Sequence, residues 1–139
     1  MYKKLAIVTG LFVATVSPSV LAQAQEGDVL RANIPFDFQI GNKSVSSGKY
    51  VIEKSGDVVY FRKEGGNFVA LTLTMPESRK TAPATAVLEF NKYGDDYFLA
   101  SIWTPYSNYG LALPKGKREK EVARLAGGLS QTAAVHINK

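Results

Sequence analysis

Catalysis needs nucleophiles, bases or metal ligands at workable spacing, and this 139-residue chain supplies few of them. His136 is the single histidine, three residues from the C-terminal end, and there is no cysteine. A Ser-His-Asp relay on His136 would rest on a segment of a kind usually held loosely. Thiolate chemistry is excluded, and one histidine cannot supply the several His or Cys ligands of an ordinary zinc site. Gly65-Gly66 lacks the lysine and spacing of a phosphate loop. Asp95 and Asp96 are adjacent carboxylates, but they lie in a predicted hairpin turn, where Asp is favoured for its own backbone hydrogen bonds. Glycosidase-type chemistry wants two carboxyls facing each other across a groove, about 5–10 Å apart. The residues of the known calcium loop are also missing. No cofactor and no metal is therefore expected.

Aromatic residues offer more. Trp103, Tyr106 and Tyr109 cluster around Pro105, and Tyr93 and Tyr97 flank the turn at Gly94. Aromatic faces beside Ser107 and Asn108 can stack on a sugar ring or hold a peptide. The same residues also read as a core tryptophan with loop tyrosines whose hydroxyls stay in water. Asn42-Lys43-Ser44 has glycosylation spacing within a stretch that is a turn by composition.

The elements that must carry these residues read as strands. From Leu30 to Ile40 every even position is apolar and every odd one is not, a period of two that predicts a strand with one buried face. Pro35 predicts a sheet edge, or a split into two strands at a bend. Turn residues recur at Gly41-Asn42, Ser46-Ser47-Gly48, Ser55-Gly56-Asp57 and Glu64 to Asn67, which predicts a meander of hairpins. In the strand from Phe68 to Met75, Val69, Leu71, Leu73 and Met75 share a face opposite Thr72 and Thr74. Pro76 to Pro83 reads as an exposed loop, suited to mobility or a partner contact. Ala84–Tyr93 and Tyr97–Thr104 form a further hairpin, with Ala86, Leu88 and Phe90 on one face. In its second strand Phe98, Ala100 and Ile102 are expected opposite Tyr97, Leu99 and Trp103; apolar on both faces, it is central or covered by another element. Pro114 precedes a helix over Lys117–Ala126, with an apolar stripe of Val122, Leu125, Ala126 and Leu129 and charge pairs Lys117–Glu121 and Glu121–Arg124. Gly127-Gly128 is its stop, and Thr132–Ile137 adds a short strand or stays loose.

The N-terminal stretch sets the address. Met1-Tyr2-Lys3-Lys4 is basic, Leu5 to Val16 is mostly apolar, and small residues follow at the spacing a signal peptidase reads. Cleavage fits after Ala22 or Ala24, with Ala22-Gln23-Ala24 matching the A-x-A form. The apolar run is shorter than the roughly 20 residues a spanning helix needs. Residues 1–24 thus read as a signal peptide and 25–139 as a single β-rich domain, exported to the periplasm or beyond. Losing Lys3 and Lys4 lowers the formal charge from +5 to +3. Much of the excess lies in Lys115, Lys117, Arg118, Lys120 and Arg124, a solvated helix face rather than a nucleic-acid footprint. A chain of this size buries enough surface to dispense with disulfides.

Several segments also carry a resemblance. Ala32 to Lys43, Ser47 to Ile52, Tyr93 to Leu99, Ile102-Trp103 and Leu113-Pro114 occur in an order that resembles a group of small exported bacterial proteins of unassigned function. That group often has Leu-Pro-Ala-Gly before the Tyr, where this chain has Val45-Ser46-Ser47-Gly48. The Gly-x-Tyr-x-Ile piece at Gly48–Ile52 is also similar to one strand of transthyretin-like and carboxypeptidase-regulatory β-sandwiches. The resemblance implies export and a β fold, and it implies no catalytic residue.

The expected fold is mainly β: a compact antiparallel sandwich or partly open barrel of about seven strands, with one C-terminal helix. The expected role is a non-catalytic envelope or extracellular module that binds a partner protein or glycan, with no nucleic acid partner and no transmembrane segment after cleavage. Trp103, Tyr106, Tyr109, Tyr93 and Tyr97 are its candidate contacts. The alternative is a carrier of a small apolar ligand, with Phe36, Phe38, Phe61, Phe90 and Phe98 lining a barrel cavity. A third reading is a hydrolase using Asp95 and Asp96.

Overall fold

The computed structural model describes residues 29–137, so the signal-peptide reading of residues 1–24 lies outside the described residues. In chain order the elements are β1 (Val29–Ile34), β2 (Phe38–Ile40), β3 (Lys43–Val45), β4 (Gly48–Ser55), β5 (Val58–Lys63) and β6 (Phe68–Leu73). They continue with β7 (Met75–Ser78), β8 (Ala86–Tyr93), β9 (Asp96–Trp103), β10 (Tyr109–Ala112), α1 (Lys117–Leu125) and β11 (Gln131–Ile137). One sheet has the order β1-β4-β5-β6; the other runs β11-β8-β9-β10-β7, with β2 and β3 attached beside β9. The fold is mainly β, two packed sheets that do not close into a barrel. The strand number exceeds the sequence expectation because breaks at Pro35 and Thr74 give β2 and β7, and the short β3 and β10 form where no strand was expected.

Those two breaks shape the sandwich. Alternation along β1 buries Ala32 and Ile34 while Arg31 and Asn33 face water. At Pro35 the chain leaves the first sheet's edge and enters the second as β2. At Thr74 the chain crosses again, from the edge strand β6 to the edge strand β7. The Thr74 N–H and hydroxyl both donate to the Asp57 carbonyl, at 2.8 and 3.1 Å. The shared core holds Ile34, Phe38, Tyr50, Ile52, Phe61, Leu88 and Phe90. Phe38 meets Tyr50 and Phe90 edge-to-face at 5.8 and 5.5 Å, a geometry favoured by the ring quadrupoles.

Three side-chain faces differ from the sequence expectation. In β6, Ala70 pairs with Phe61 and Thr72 with Val59, so the inward face is Ala70-Thr72-Thr74. Leu71 and Leu73, with Met75 of β7, are exposed, as the Thr74 anchor holds the strand, whereas Val69, at the register shift beside Phe61 and Arg62, is half-buried against the core. In β9 the register shifts: Glu89 pairs with Ser101 and Phe90 with Leu99, which leaves Ala100 bulged. One extra residue inverts every later side chain, so Leu99 and Ile102 face the core while Phe98, Ser101 and Trp103 face the other side. In α1 and its C-cap the inward face is Glu119, Val122, Ala123 and Ala126; Leu125, and Leu129 beyond the helix end, are exposed. Neither predicted helix charge pair is among the three ion pairs of the described residues, which are Arg31–Glu64, Arg62–Glu53 and Arg79–Glu89.

The helix ends have identifiable partners. Gly116 supplies no capping side chain, and Asn42 Oδ1 accepts the Arg118 N–H at 3.3 Å from the β2–β3 turn instead. The end is a Schellman arrangement: Gly127 adopts φ +66°, its N–H donates to Arg124, and the Gly128 N–H donates to Ala123.

The region expected as a loop from Pro76 is partly a strand. Met75–Ser78 pairs with β10, where a proline at a sheet edge removes no needed donor.

Candidate functional site

The outward face of the second sheet is a built layer of its own. Val87, Tyr93, Phe98 and Trp103 are all buried there, on the side away from the main core. Trp103 is 1% exposed. Its ring lies against Gly110, its cross-strand neighbour, where a Cβ would fall 2.6 Å from a ring carbon. Only glycine fits under that ring. The Arg79 guanidinium lies over the indole, 3.6 Å from the centroid. Arg79 also pairs with Glu89, whose other carboxylate oxygen accepts from Ser101 Oγ at 3.1 Å. Ser101 Oγ in turn accepts the Trp103 Nε1–H at 3.0 Å. Trp103 Nε1, Ser101 Oγ and both Glu89 carboxylate oxygens each have a partner, and the cluster ties residue 79 to the face of the sheet.

Tyr93 belongs to the same layer, under the helix. Its hydroxyl donates to Glu119 Oε1 at 3.3 Å, and Asn91 Nδ2 donates to the same oxygen at 3.0 Å. Burial first, then the Glu119 carboxylate and the hydrogen bond to it, raise the Tyr93 phenol above its ordinary value of 10.0; a contact with Ser130 opposes this. The folded state therefore holds the phenolic proton more tightly than the unfolded chain. Stability from this source is fully present below about pH 10 and is lost as pH rises through the folded value. Urea unfolding of the wild type between about pH 9 and 11 should show that decline, and Tyr93→Phe should flatten it. An equally steep decline in the variant would contradict the assignment.

The remaining tyrosines differ. Tyr97 stacks on Phe36, with centroids 3.9 Å apart and planes at 14°, and Lys92 Nζ sits 5.3 Å from its centroid. Tyr106 is 85% exposed and Tyr109 73%. Tyr106 has φ 58°, the positive-φ non-glycine residue among those described, and its N–H donates to the Pro83 carbonyl at 2.8 Å. The Arg79 N–H donates to the Asn108 carbonyl at 2.9 Å, so the two neighbouring loops are laced together. Ser107 Oγ accepts the Tyr109 N–H at 3.2 Å. Period-2 alternation along β10 puts Gly110 under Trp103 and sends Tyr109 and Leu111 to the opposite side. The five aromatic candidates thus do not form one surface: Trp103 and Tyr93 are internal, Tyr97 packs against Phe36, and Tyr106 and Tyr109 face solvent.

No family model, curated protein or solved structure matches the chain. His136 is exposed on β11, its Nδ1 3.3 Å from Thr85 Oγ1. It pairs with Val87, while Asp95 and Asp96 lie past Tyr93 at the far end of β8. Six residues of strand, about 20 Å, separate them. Among the described residues no group of three His, Cys, Asp or Glu is arranged to hold a metal. The phenylalanines proposed as a cavity lining do not line one space. Phe38, Phe61 and Phe90 are packed in the core, Phe36 meets Phe90 edge-to-face at 4.9 Å, and Phe98 lies on the other side against Tyr93 at 5.8 Å.

Arg79, Glu89, Ser101 and Glu119 were not predicted as site-building residues. Only Glu119 left a readable signal: with Val122, Ala123 and Ala126 it completes an i, i+3, i+4, i+7 stripe.

Proposed function

We propose that this protein is a non-catalytic exported module of the cell envelope or its surroundings, which binds a partner protein or glycan through Tyr106 and Tyr109. The observation that carries the reading is the pair of highly exposed tyrosines on a laced loop, one held at positive φ. A strained backbone kept by its surroundings marks a position used for something other than packing. Tyrosine adds large, rigid contact area with little side-chain entropy to lose. The signal-like N-terminal sequence supports the exported address. Trp103, Arg79 and Gly110 are then the footing of the loop rather than contacts.

Glycan arrays and pull-downs with the wild type should yield a ligand. The Tyr106→Ala/Tyr109→Ala double variant should bind it at least about tenfold more weakly, with an unchanged midpoint of thermal unfolding. No ligand on either platform, together with a measurable hydrolytic activity, would overturn the proposal.

A further inference from the structure

We propose that the cleft between the two sheets, at the end where Tyr109 stands, binds a free single-chain carboxylate, with its apolar tail between the sheets and its acid group on Lys54. The cleft has a volume of about 400 Å³. This suits a small molecule, since such sites span roughly 300–1,000 Å³, and it is too small for a folded partner. One wall is a row of cross-strand neighbours, Pro76, Leu111 and Ile102. The facing wall comes from the first sheet, where Leu30 pairs with Ile52 and Lys54 with Val59.

Lys54 is the reason to name an acid. It lies two residues beyond Ile52 on β4, so alternation sends it to the same inward face, at the mouth of the cleft. Of the residues lining the cleft, Lys54 is the one that carries charge, and no carboxylate lines it. Lys54 takes part in none of the three ion pairs among the described residues. The lining is therefore mostly apolar, with the hydroxyl-bearing Thr104, Ser107 and Tyr109 and one positive charge. A monoanion with an alkyl tail complements both features. An alcohol of the same length matches the apolar walls and the hydroxyls but leaves the Lys54 ammonium without a counter-charge, and a cationic amphiphile meets repulsion. This goes beyond the tyrosine-loop reading: Tyr109 borders both surfaces, but Tyr106 does not line the cleft and Lys54 lies outside the loop, so Lys54→Met separates the two.

The test uses purified protein and three ten-carbon probes, decanoate, decanol and decyltrimethylammonium, followed by amide NMR shifts. Decanoate is expected to move the amides of Ile52, Lys54, Ile102 and Leu111, and to bind about tenfold more tightly than decanol. The exposed Lys54→Met change should remove that preference by weakening decanoate alone. Leu111→Trp, which fills the cleft, should weaken both. Equal affinity for decanoate and decanol, tighter binding of the cation, shifts confined to the exposed Leu71–Leu73–Met75 ridge, or no shift up to probe solubility would each overturn the proposal. The probe comparison needs no variant, so it stands even if a substitution fails to fold.

Discussion

Trp103→Ala should lower unfolding free energy by about 3–5 kcal/mol, the range for removing a large buried aromatic. For a domain of this size that corresponds to a fall in melting temperature of roughly 12–20 °C. The indole is fully buried, lies on Gly110, carries the Arg79 guanidinium and donates to Ser101. Removing it opens a cavity and frees the Arg79–Glu89 pair to solvate. Trp103→Phe should cost less, because a ring remains over Gly110 while the Ser101 hydrogen bond is lost. Urea unfolding followed by far-ultraviolet circular dichroism reads both. A loss under about 1 kcal/mol for the alanine variant would place Trp103 among surface aromatics instead.

Glu119→Ala should cost about 2–3 kcal/mol and act locally first. The carboxylate is buried and receives hydrogen bonds from Asn91 and Tyr93, so truncating it leaves two donors unpaired beneath the helix. Each unsatisfied buried donor carries a penalty of about 1–3 kcal/mol, which partial rehydration reduces. Hydrogen exchange should speed up across Lys117–Leu125 before it does in β8 or β9. The triple variant Asn91→Leu/Tyr93→Phe/Glu119→Leu should recover much of the loss, because replacing all partners with apolar groups removes the unpaired donors. A triple variant less stable than Glu119→Ala would show that the polar cluster itself, rather than its broken remainder, sets the stability.

Much of the fold was legible in the sequence because local signals agreed with tertiary ones. Alternation from Leu30 marked β1 and its buried face, and Pro35 marked the split into two strands, though not that the chain changes sheets there. Gly94-Asp95 marked the β8–β9 turn, and Gly127-Gly128 the helix stop. What was not legible depended on contacts distant in sequence. The bulge at Ala100 has no turn residue to announce it, yet it reverses the faces of Ser101, Ile102 and Trp103. The alternation of Leu71 and Leu73 against Thr72 was legible, but which face turns inward was not: it goes with the hydrogen bonds from Thr74 to Asp57. Around the helix, Leu125 and Leu129 were the strongest apolar signals and both are exposed, while the buried anchor is the Glu119 carboxylate. For the site, clustering in sequence grouped five aromatics, whereas strand parity sends Trp103 and Tyr109 to opposite sides of one sheet.

Iodide quenching of Trp103 fluorescence is the most direct test of whether the tyrosine loop stands on a buried scaffold. The chain has a single tryptophan, so the signal has one source. In the folded wild type Trp103 should be strongly protected from iodide. In Arg79→Ala, which uncovers the ring, protection should fall clearly while the protein stays folded. Wild-type fluorescence quenched as readily as that of the urea-unfolded chain would contradict the separation of scaffold from contact.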